Sequence, residues 1–88
     1  MEGREMSDAV KKIEELLRSN VEALIDNTDD IDIKTISSKN LCIMEVRVPK
    51  SEVGMVIGRG GKTATSLRHI MKSVAAKNGK KLDLEIVE

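Results

Sequence analysis

The sequence predicts one α+β domain with the element order helix, strand, strand, helix, helix, strand. Apolar residues recur at spacings of three and four in the helical segments, which is the period of one helix face. In three other segments they alternate with polar residues, as in half-buried strands. Three glycines within four residues, at Gly58, Gly60 and Gly61, separate the last two helical segments.

Length and composition limit the kind of core that this domain can have. The 88 residues leave room for one core, because domains usually have about 100–200 residues. The chain is 40% hydrophobic and contains no Phe, Trp or Tyr, so the core must be aliphatic. Any function that stacks nucleic-acid bases on aromatic side chains is thereby excluded.

The first helix has a clear start and a clear end in the sequence. Ser7 is a suitable N-cap residue, and Asp8 adds a negative charge where the helix dipole favours one. A polar run over residues 26–30 predicts that the helix ends near Ile25 or Asp26. We interpret the carboxylates of this run as a solvated turn, because a calcium loop would need a glycine and a terminal glutamate. The helix face is expected to hold Val10, Ile13, Leu17, Val21 and Leu24.

Two strands and a turn are predicted next. Ile31 and Ile33 alternate with polar residues in a short strand over residues 31–34, and residues 37–40 form a hairpin turn. A second strand over residues 41–48 ends at Pro49, because proline cannot donate to a sheet ladder. Its inward face is expected to hold Cys42, Met44, Val46 and Val48.

The second half is predicted to contain two helices and a strand. Ser51 caps a short helix, and a longer helix begins directly after Gly61 and ends at Asn78-Gly79, since glycine is common just after a helix. Leu82, Leu84 and Ile86 alternate with acids in the last strand. Residues 1–6 are expected to form a flexible tail, and residues 7–88 the single domain.

The net charge of zero hides a division between the two ends of the chain. Residues 1–32 carry four Lys or Arg against ten Asp or Glu, and residues 33–88 carry eleven against five. Residues 59–81 contain seven basic residues and no acid. Such asymmetry indicates either a polyanionic partner or a basic helix packed beside an acidic one. The neutral total argues against nucleic-acid binding by bulk charge.

The glycine-rich segment is compatible with two interpretations, a tight turn or a phosphate-binding loop. Glycine reaches positive φ without a steric penalty, and the unpaired N–H groups of the following helix attract anions. The segment is not a Walker A loop, whose first glycine would fall at Val56. It is not a dinucleotide fingerprint either, because Thr63 stands at the position of the last glycine, and neither motif's preceding strand is present.

Residues 56–61, Val-Ile-Gly-Arg-Gly-Gly, resemble the V-I-G-x-x-G signature of KH domains, which clamps a single-stranded nucleic-acid backbone. The glycines stand between two helices, with a strand before and a strand after. The extra helix and strand at the front resemble the type II variant, and the resemblance covers roughly residues 8–87. The short chain is similar to the stand-alone type II KH proteins of bacteria. One departure is Thr63, where an aliphatic residue often stands.

The resemblance implies a three-stranded sheet covered on one face by three helices, with a binding groove beside it. The glycines and Arg59 would hold phosphates, and Lys62 would add charge at the helix start. An apolar floor would include Ile57, whereas Leu67 is expected to belong to the core. The remaining lysines and arginine would line the groove walls. The implied RNA-binding residues are Ile57, Gly58, Arg59, Gly60, Gly61, Lys62, Arg68, Lys72, Lys80 and Lys81.

The resemblance also implies a function and partners. The expected function is binding of single-stranded RNA as an RNA chaperone or post-transcriptional regulator, linked to cell growth, cell shape and peptidoglycan homeostasis. The expected partners are a second copy of the chain and a larger KH-containing protein. The alternative is a degenerate KH fold that serves as a protein–protein interaction module or a ribosome-associated assembly factor.

Catalysis, metal binding and membrane insertion find no support in the sequence. One Cys and one His exclude a disulfide within the chain, a Cys-based zinc site and a two-His metal cluster. No nucleophile–base pair is apparent, so we expect neither an enzyme nor a cofactor nor a small-molecule substrate. No apolar run approaches 18 residues, and the first ten residues lack the apolar stretch of a signal peptide. A free thiol without an export signal predicts the cytoplasm.

Overall fold

The computed structural model describes residues 7–87, so the predicted tail over residues 1–6 lies outside the described part. The predicted order α-β-β-α-α-β is confirmed. A 3₁₀ turn at Thr28–Asp30 follows the first helix, and another at Arg59–Gly61 precedes the last. Within residues 7–87, no helix is both long and apolar enough to cross a membrane. The main elements are α1 (Asp8–Leu24), β1 (Asp32–Ser37), β2 (Leu41–Arg47), α2 (Val53–Ile57), α3 (Lys62–Lys77) and β3 (Lys81–Val87).

Helix α1 begins and ends where the sequence predicts. The Ser7 hydroxyl accepts a hydrogen bond from the Val10 amide at 3.2 Å, which satisfies one of the unpaired donors of the first turn. The helix ends at Leu24, and Ile25 is already extended. Its buried residues repeat at helical spacing, so one face packs against the rest of the domain. That face holds Val10, Ile13, Leu17 and Val21.

The three strands form one mixed sheet in the order β1-β2-β3. β1 pairs antiparallel with β2, and β2 pairs parallel with β3. The hairpin turn is tighter than predicted, because the Ser38 amide donates to the Leu41 carbonyl at 2.8 Å. β1 therefore runs to Ser37, beyond the predicted end at residue 34. Its ladder with β2 stabilises residues whose own sequence pattern carries no clear alternation.

The three helices cover one face of this sheet, and the core between them is aliphatic. The predicted inward face of the second strand is confirmed, since Cys42, Met44, Val46 and Val48 are all buried. Leu67 is buried too, as expected. The other face of the sheet lies open, and Ile36 is 69% exposed on it. The helices therefore leave both edge strands, β1 and β3, accessible from one side.

A buried carboxylate joins the first half of the domain to α2. The N-cap of α2 is Glu52 and not the predicted Ser51, and it makes no side-chain capping hydrogen bond. Its carboxylate instead accepts hydrogen bonds from the Asp26 amide at 2.6 Å and the Asn27 amide at 2.9 Å. Glu52 is only 8% exposed. Such a charge is tolerated because backbone donors replace its water.

We expect Glu52→Ala to lower the free energy of unfolding by about 1–3 kcal/mol, because two partly buried amides lose their acceptor. Chemical denaturation monitored by circular dichroism measures the change. Glu22→Ala is the matched control, since Glu22 is an exposed residue of α1 and its loss should change stability by about 0.5 kcal/mol or less. Equal stability of the two variants would contradict the assigned role of Glu52.

Candidate nucleic-acid interface

The connection between α2 and α3 depends on the backbone conformation of Gly58. Its dihedral angles, φ 79° and ψ 170°, lie in a region that essentially only glycine occupies. A Cβ atom at this position would overlap the Thr63 side chain and lie 2.9 Å from the Thr63 backbone nitrogen. The Gly58 amide closes α2 by donating to the Gly54 carbonyl at 2.8 Å. The chain thus turns sharply from α2 towards α3, directly against Thr63.

The remainder of the glycine loop (residues 58–61) turns outward. Gly60 and Gly61 also have positive φ, at 62° and 77°, but a Cβ atom on either would meet open space. The Gly61 amide donates to the Gly58 carbonyl, and the Lys62 amide donates to the Arg59 carbonyl. By contrast, the amides of Arg59 and Gly60 donate to no other residue in the described part of the chain. Two backbone donors at the tip of the loop are therefore available to a ligand.

Helix α3 presents a row of exposed and half-buried residues next to its buried stripe. Arg68, Lys72 and Ala76 follow each other at spacings of four, so they lie on one side of the helix. Lys72 and Ala76 line a surface groove of about 410 Å³, which lies between the second half of α3 and the start of β3. This α3–β3 groove is lined by Lys72, Ala76, Gly79, Lys80, Lys81 and Leu82.

Strand β3 forms the wall of the α3–β3 groove that faces α3, and it is an edge strand of the sheet. The Lys81 amide donates to Asn40, and the Val87 carbonyl accepts from Val48, so these residues direct their backbone groups towards β2. In a parallel ladder the alternate residues direct theirs to the other side. The backbone groups of Leu82, Leu84 and Ile86 therefore point to the free edge, where an unpaired edge offers hydrogen bonds to a ligand.

One side chain connects the two walls. The Arg68 Nε group donates to the Leu84 carbonyl at 3.2 Å, across from α3 to β3. Arg68 is half-buried there, whereas Lys62, at the first residue of α3, and Lys72 are exposed. The predicted basic wall thus consists of one arginine held against the strand and two lysines free to reach a ligand.

Lys80 and Lys81 have different surroundings, although both line the groove. The Lys80 ammonium donates to the carbonyls of Ser38 and Lys39 at 2.8 and 3.2 Å, so it ties the groove to the β1–β2 turn. Lys81 shares the open face of β3 with the exposed Asp83, because strand residues alternate between faces. The structure therefore gives Lys80 a partner of its own that sequence reasoning did not foresee.

The single thiol of the chain, on Cys42, belongs to the core. Burial raises the pKa of the Cys42 thiol, the Lys80 ammonium lowers it to a smaller extent, and Glu14 adds a small rise. The thiol is therefore protonated at neutral pH. Cys42 is fully buried, in agreement with its predicted place in the strand's inward face.

The cations around the glycine loop and the groove carry uncompensated charge. Within residues 7–87, none of them lies within ion-pair distance of a carboxylate. The ion pair in this part of the chain lies elsewhere, on β2, where Arg47 and Glu45 are 4.0 Å apart. Ile57, the predicted apolar floor, is half-buried at the end of α2. The loop, the cationic side of α3 and the free edge of β3 together form an open surface suited to a polyanion.

This fold and surface define a KH domain of type II, with the glycine loop between its central helices. A family model described as the KH domain of KhpA and KhpB matches residues 14–86. The chain belongs to this KhpA/KhpB KH-domain family.

Relatives in several bacteria have similar sequences over most of their length. A protein of Aquifex aeolicus is 38% identical over 80 residues, which are 91% of this chain and 98% of the relative. A protein of Borreliella burgdorferi is 35% identical over 84% of this chain and 90% of the relative, and one of Listeria monocytogenes is 36% identical over 86% and 100%. All three are named RNA-binding protein KhpA. The search of solved structures found no match.

We expect Gly58→Ala to destabilise the domain more than Gly60→Ala does. The first variant places a Cβ atom against Thr63 in a glycine-only conformation, with a cost of about 1–3 kcal/mol or more. The second requires only a left-handed residue in open space, at about 1–2 kcal/mol. Urea denaturation of both variants measures the difference. A Gly58→Ala variant as stable as the wild type would contradict the close approach.

Proposed function

We propose that this chain binds single-stranded RNA, with the sugar-phosphate backbone on the glycine loop and the bases along the α3–β3 groove. The observation that carries the proposal is the pair of free amides at Arg59 and Gly60 beside unpaired cations. The names of the relatives support RNA as the ligand.

The electrostatics of the loop favour a phosphate. The amides of Arg59 and Gly60 precede a helix of 16 residues, whose N-terminal end carries a partial positive charge. Gly61 stands at the N-cap of α3 and makes no side-chain capping hydrogen bond, so the cap residue itself places no acceptor over the first turn. The exposed Arg59 and Lys62 side chains add two full charges. A phosphate bound here would meet these donors and charges, and within residues 7–87 no carboxylate lies within ion-pair distance of Arg59 or Lys62.

The groove favours bases held without aromatic stacking. Backbone groups of Leu82 and Ile86 at the free edge of β3 can form hydrogen bonds to base edges, and aliphatic side chains supply the contact surface. KH modules hold about four nucleotides. We therefore propose a short binding site with a modest affinity for most sequences.

Weak binding by one groove is consistent with a role as an RNA chaperone or post-transcriptional regulator in the cytoplasm. Linking two grooves increases avidity, because the second contact becomes intramolecular. We propose that the linkage comes from a second copy of the chain or from a larger KH-containing protein of the KhpB kind. Through its target RNAs, the complex would influence cell growth, cell shape and peptidoglycan homeostasis.

The double variant Arg59→Asp with Gly60→Asp tests the proposal. Two carboxylates at the tip of the loop would repel the phosphates, so we expect at least about tenfold weaker binding, or none, to a fluorescent single-stranded RNA of eight nucleotides. Fluorescence anisotropy measures the affinity. Asp at Gly60 requires positive φ, which costs about 1–2 kcal/mol, so circular dichroism must show that the variant is folded.

The matched control is Lys11→Asp with Ser19→Asp. It makes the same change in net charge on two exposed positions of α1, neither of which belongs to the loop or lines the α3–β3 groove. We expect this control to retain binding within about twofold, because its carboxylates do not stand at the proposed phosphate site and salt weakens the effect of exposed charges elsewhere on the surface. Equal affinity of the folded loop variant and the wild type would contradict binding at the glycine loop. No binding by the wild type would contradict RNA binding altogether.

The salt dependence of the affinity gives an independent test. Contact with two to four phosphates predicts a slope of roughly −1.5 to −3 in a plot of log affinity against log salt, at about −0.7 per phosphate for single strands. Anisotropy titrations between 50 and 300 mM KCl (about a sixfold range) measure the slope. A slope near zero would contradict phosphate contacts, and a much steeper slope would indicate an interface larger than this groove.

A further inference from the structure

We propose that Arg68 gives the RNA groove a preference for guanine, a proposal that rests on the proposed function. The preference would arise from the way in which the protein holds this side chain. It concerns one nucleotide position, beside the middle of β3, and adds specificity to an interface that otherwise contacts backbone and apolar surface.

The guanidinium group of Arg68 is anchored through its Nε atom. Its Nε donates to the Leu84 carbonyl on the free edge of β3, at 3.2 Å, and the side chain is half-buried. In the described part of the chain, no carboxylate lies within ion-pair distance of it. The anchor therefore fixes the plane of the group without neutralising its charge.

The remaining donors form a fork of fixed geometry. A guanidinium group has five N–H donors, and the Nε contact with Leu84 uses one of them. The N–H groups on Nη1 and Nη2 that point away along the side-chain axis are parallel, and within residues 7–87 they have no hydrogen-bond partner. Two adjacent acceptors on one base edge match such a pair, and the O6 and N7 atoms of guanine are the commonest partner of arginine. Uracil and adenine offer no such pair of acceptors on one edge. Cytosine does offer one, O2 and N3, so a C probe that binds as tightly as the G probe would overturn the preference for guanine.

The other cations of the site are less suited to this task. Lys62 and Lys72 end in ammonium groups, which act as point charges and favour any phosphate or acceptor. Arg59 is exposed at the loop, beside the amides that we assign to phosphate. Arg68 lies on the row with Lys72 and Ala76, next to the strand edge where bases are expected. Among these cations, Arg68 is therefore the one that lies at the strand edge proposed for the bases and that also presents two parallel N–H donors.

The test compares the affinities of oligonucleotides that differ at one base. The probes are fluorescent single-stranded RNAs of eight nucleotides, either all uridine or with one central G, A, C or 7-deazaguanosine. Wild-type protein is expected to bind the G probe about tenfold more tightly than the U and A probes. The 7-deaza probe lacks the N7 acceptor and should lose most of this gain. Fluorescence anisotropy at one fixed salt concentration gives the affinity ratios.

The variant Arg68→Lys keeps the charge and removes the fork, so the ratio of G to U affinity should fall towards one. Arg18→Lys is the matched control, because it makes the same chemical change on α1, and its ratio should equal that of the wild type. Circular dichroism verifies that both variants are folded. A G preference that survives Arg68→Lys would overturn the proposal.

The remaining outcomes separate this proposal from the proposed function. Wild-type protein that binds the U, A and G probes equally would overturn the guanine preference and leave RNA binding intact. Equal affinity for the G and 7-deaza probes would overturn the assigned O6 and N7 contacts. Wild-type protein that binds none of the probes would contradict the proposed function itself, and with it the preference.

Discussion

The close approach of Gly58 to Thr63 is the constraint on which the rest of the structure depends. It joins a five-residue helix to a sixteen-residue helix through a backbone conformation reserved for glycine. Because the chain reverses at this point, the remaining two glycines extend outward with their surroundings open. The same turn sets the rotation of α3, and with it the side on which Arg68 and Lys72 lie. A different turn would separate the loop donors from the cationic groove.

Polar contacts hold the parts of the surface in place around this turn. Glu52 binds the loop after α1 to the start of α2, and Lys80 binds the β1–β2 turn beside the end of α3. Arg68 joins α3 to the edge of β3 between these points. All three are charged groups that act on backbone atoms. We therefore expect substitutions at these residues to change the shape of the surface as well as its charge.

Much of the fold follows from the sequence because its core is simple. Aliphatic residues at helical or alternating spacing identify α1, β2, α3 and β3, and the glycine cluster locates the turn. The extent of β1 did not follow, because its outer half is defined by pairing with β2 and not by its own residues. From the sequence, residues 58–61 could form either a tight turn or a phosphate-binding loop. Which of their amides lack a hydrogen-bond partner depends on the backbone conformation of the loop, which the sequence pattern does not specify.

The polar contacts are the part that sequence patterns do not contain. Glu52 and its partners are separated by about 25 residues, and no periodicity connects a carboxylate to distant backbone amides. The predicted cap at Ser51 was wrong because α2 begins at Val53, which places Glu52 at the N-cap. Lys80 was predicted only as a residue of the groove wall, and its position against two carbonyls depends on how the turns meet.

The most direct test of the central claim observes the two loop amides themselves. In an NMR titration of the ¹⁵N-labelled protein with a single-stranded RNA, the account predicts that the amide resonances of Arg59 and Gly60 shift most, to lower field, as they donate to phosphate. The resonances around Ile36, on the open face of the sheet, should stay unchanged. If RNA binding shifted the resonances around Ile36 and left the amide resonances of Arg59 and Gly60 unchanged, binding at the glycine loop would be contradicted.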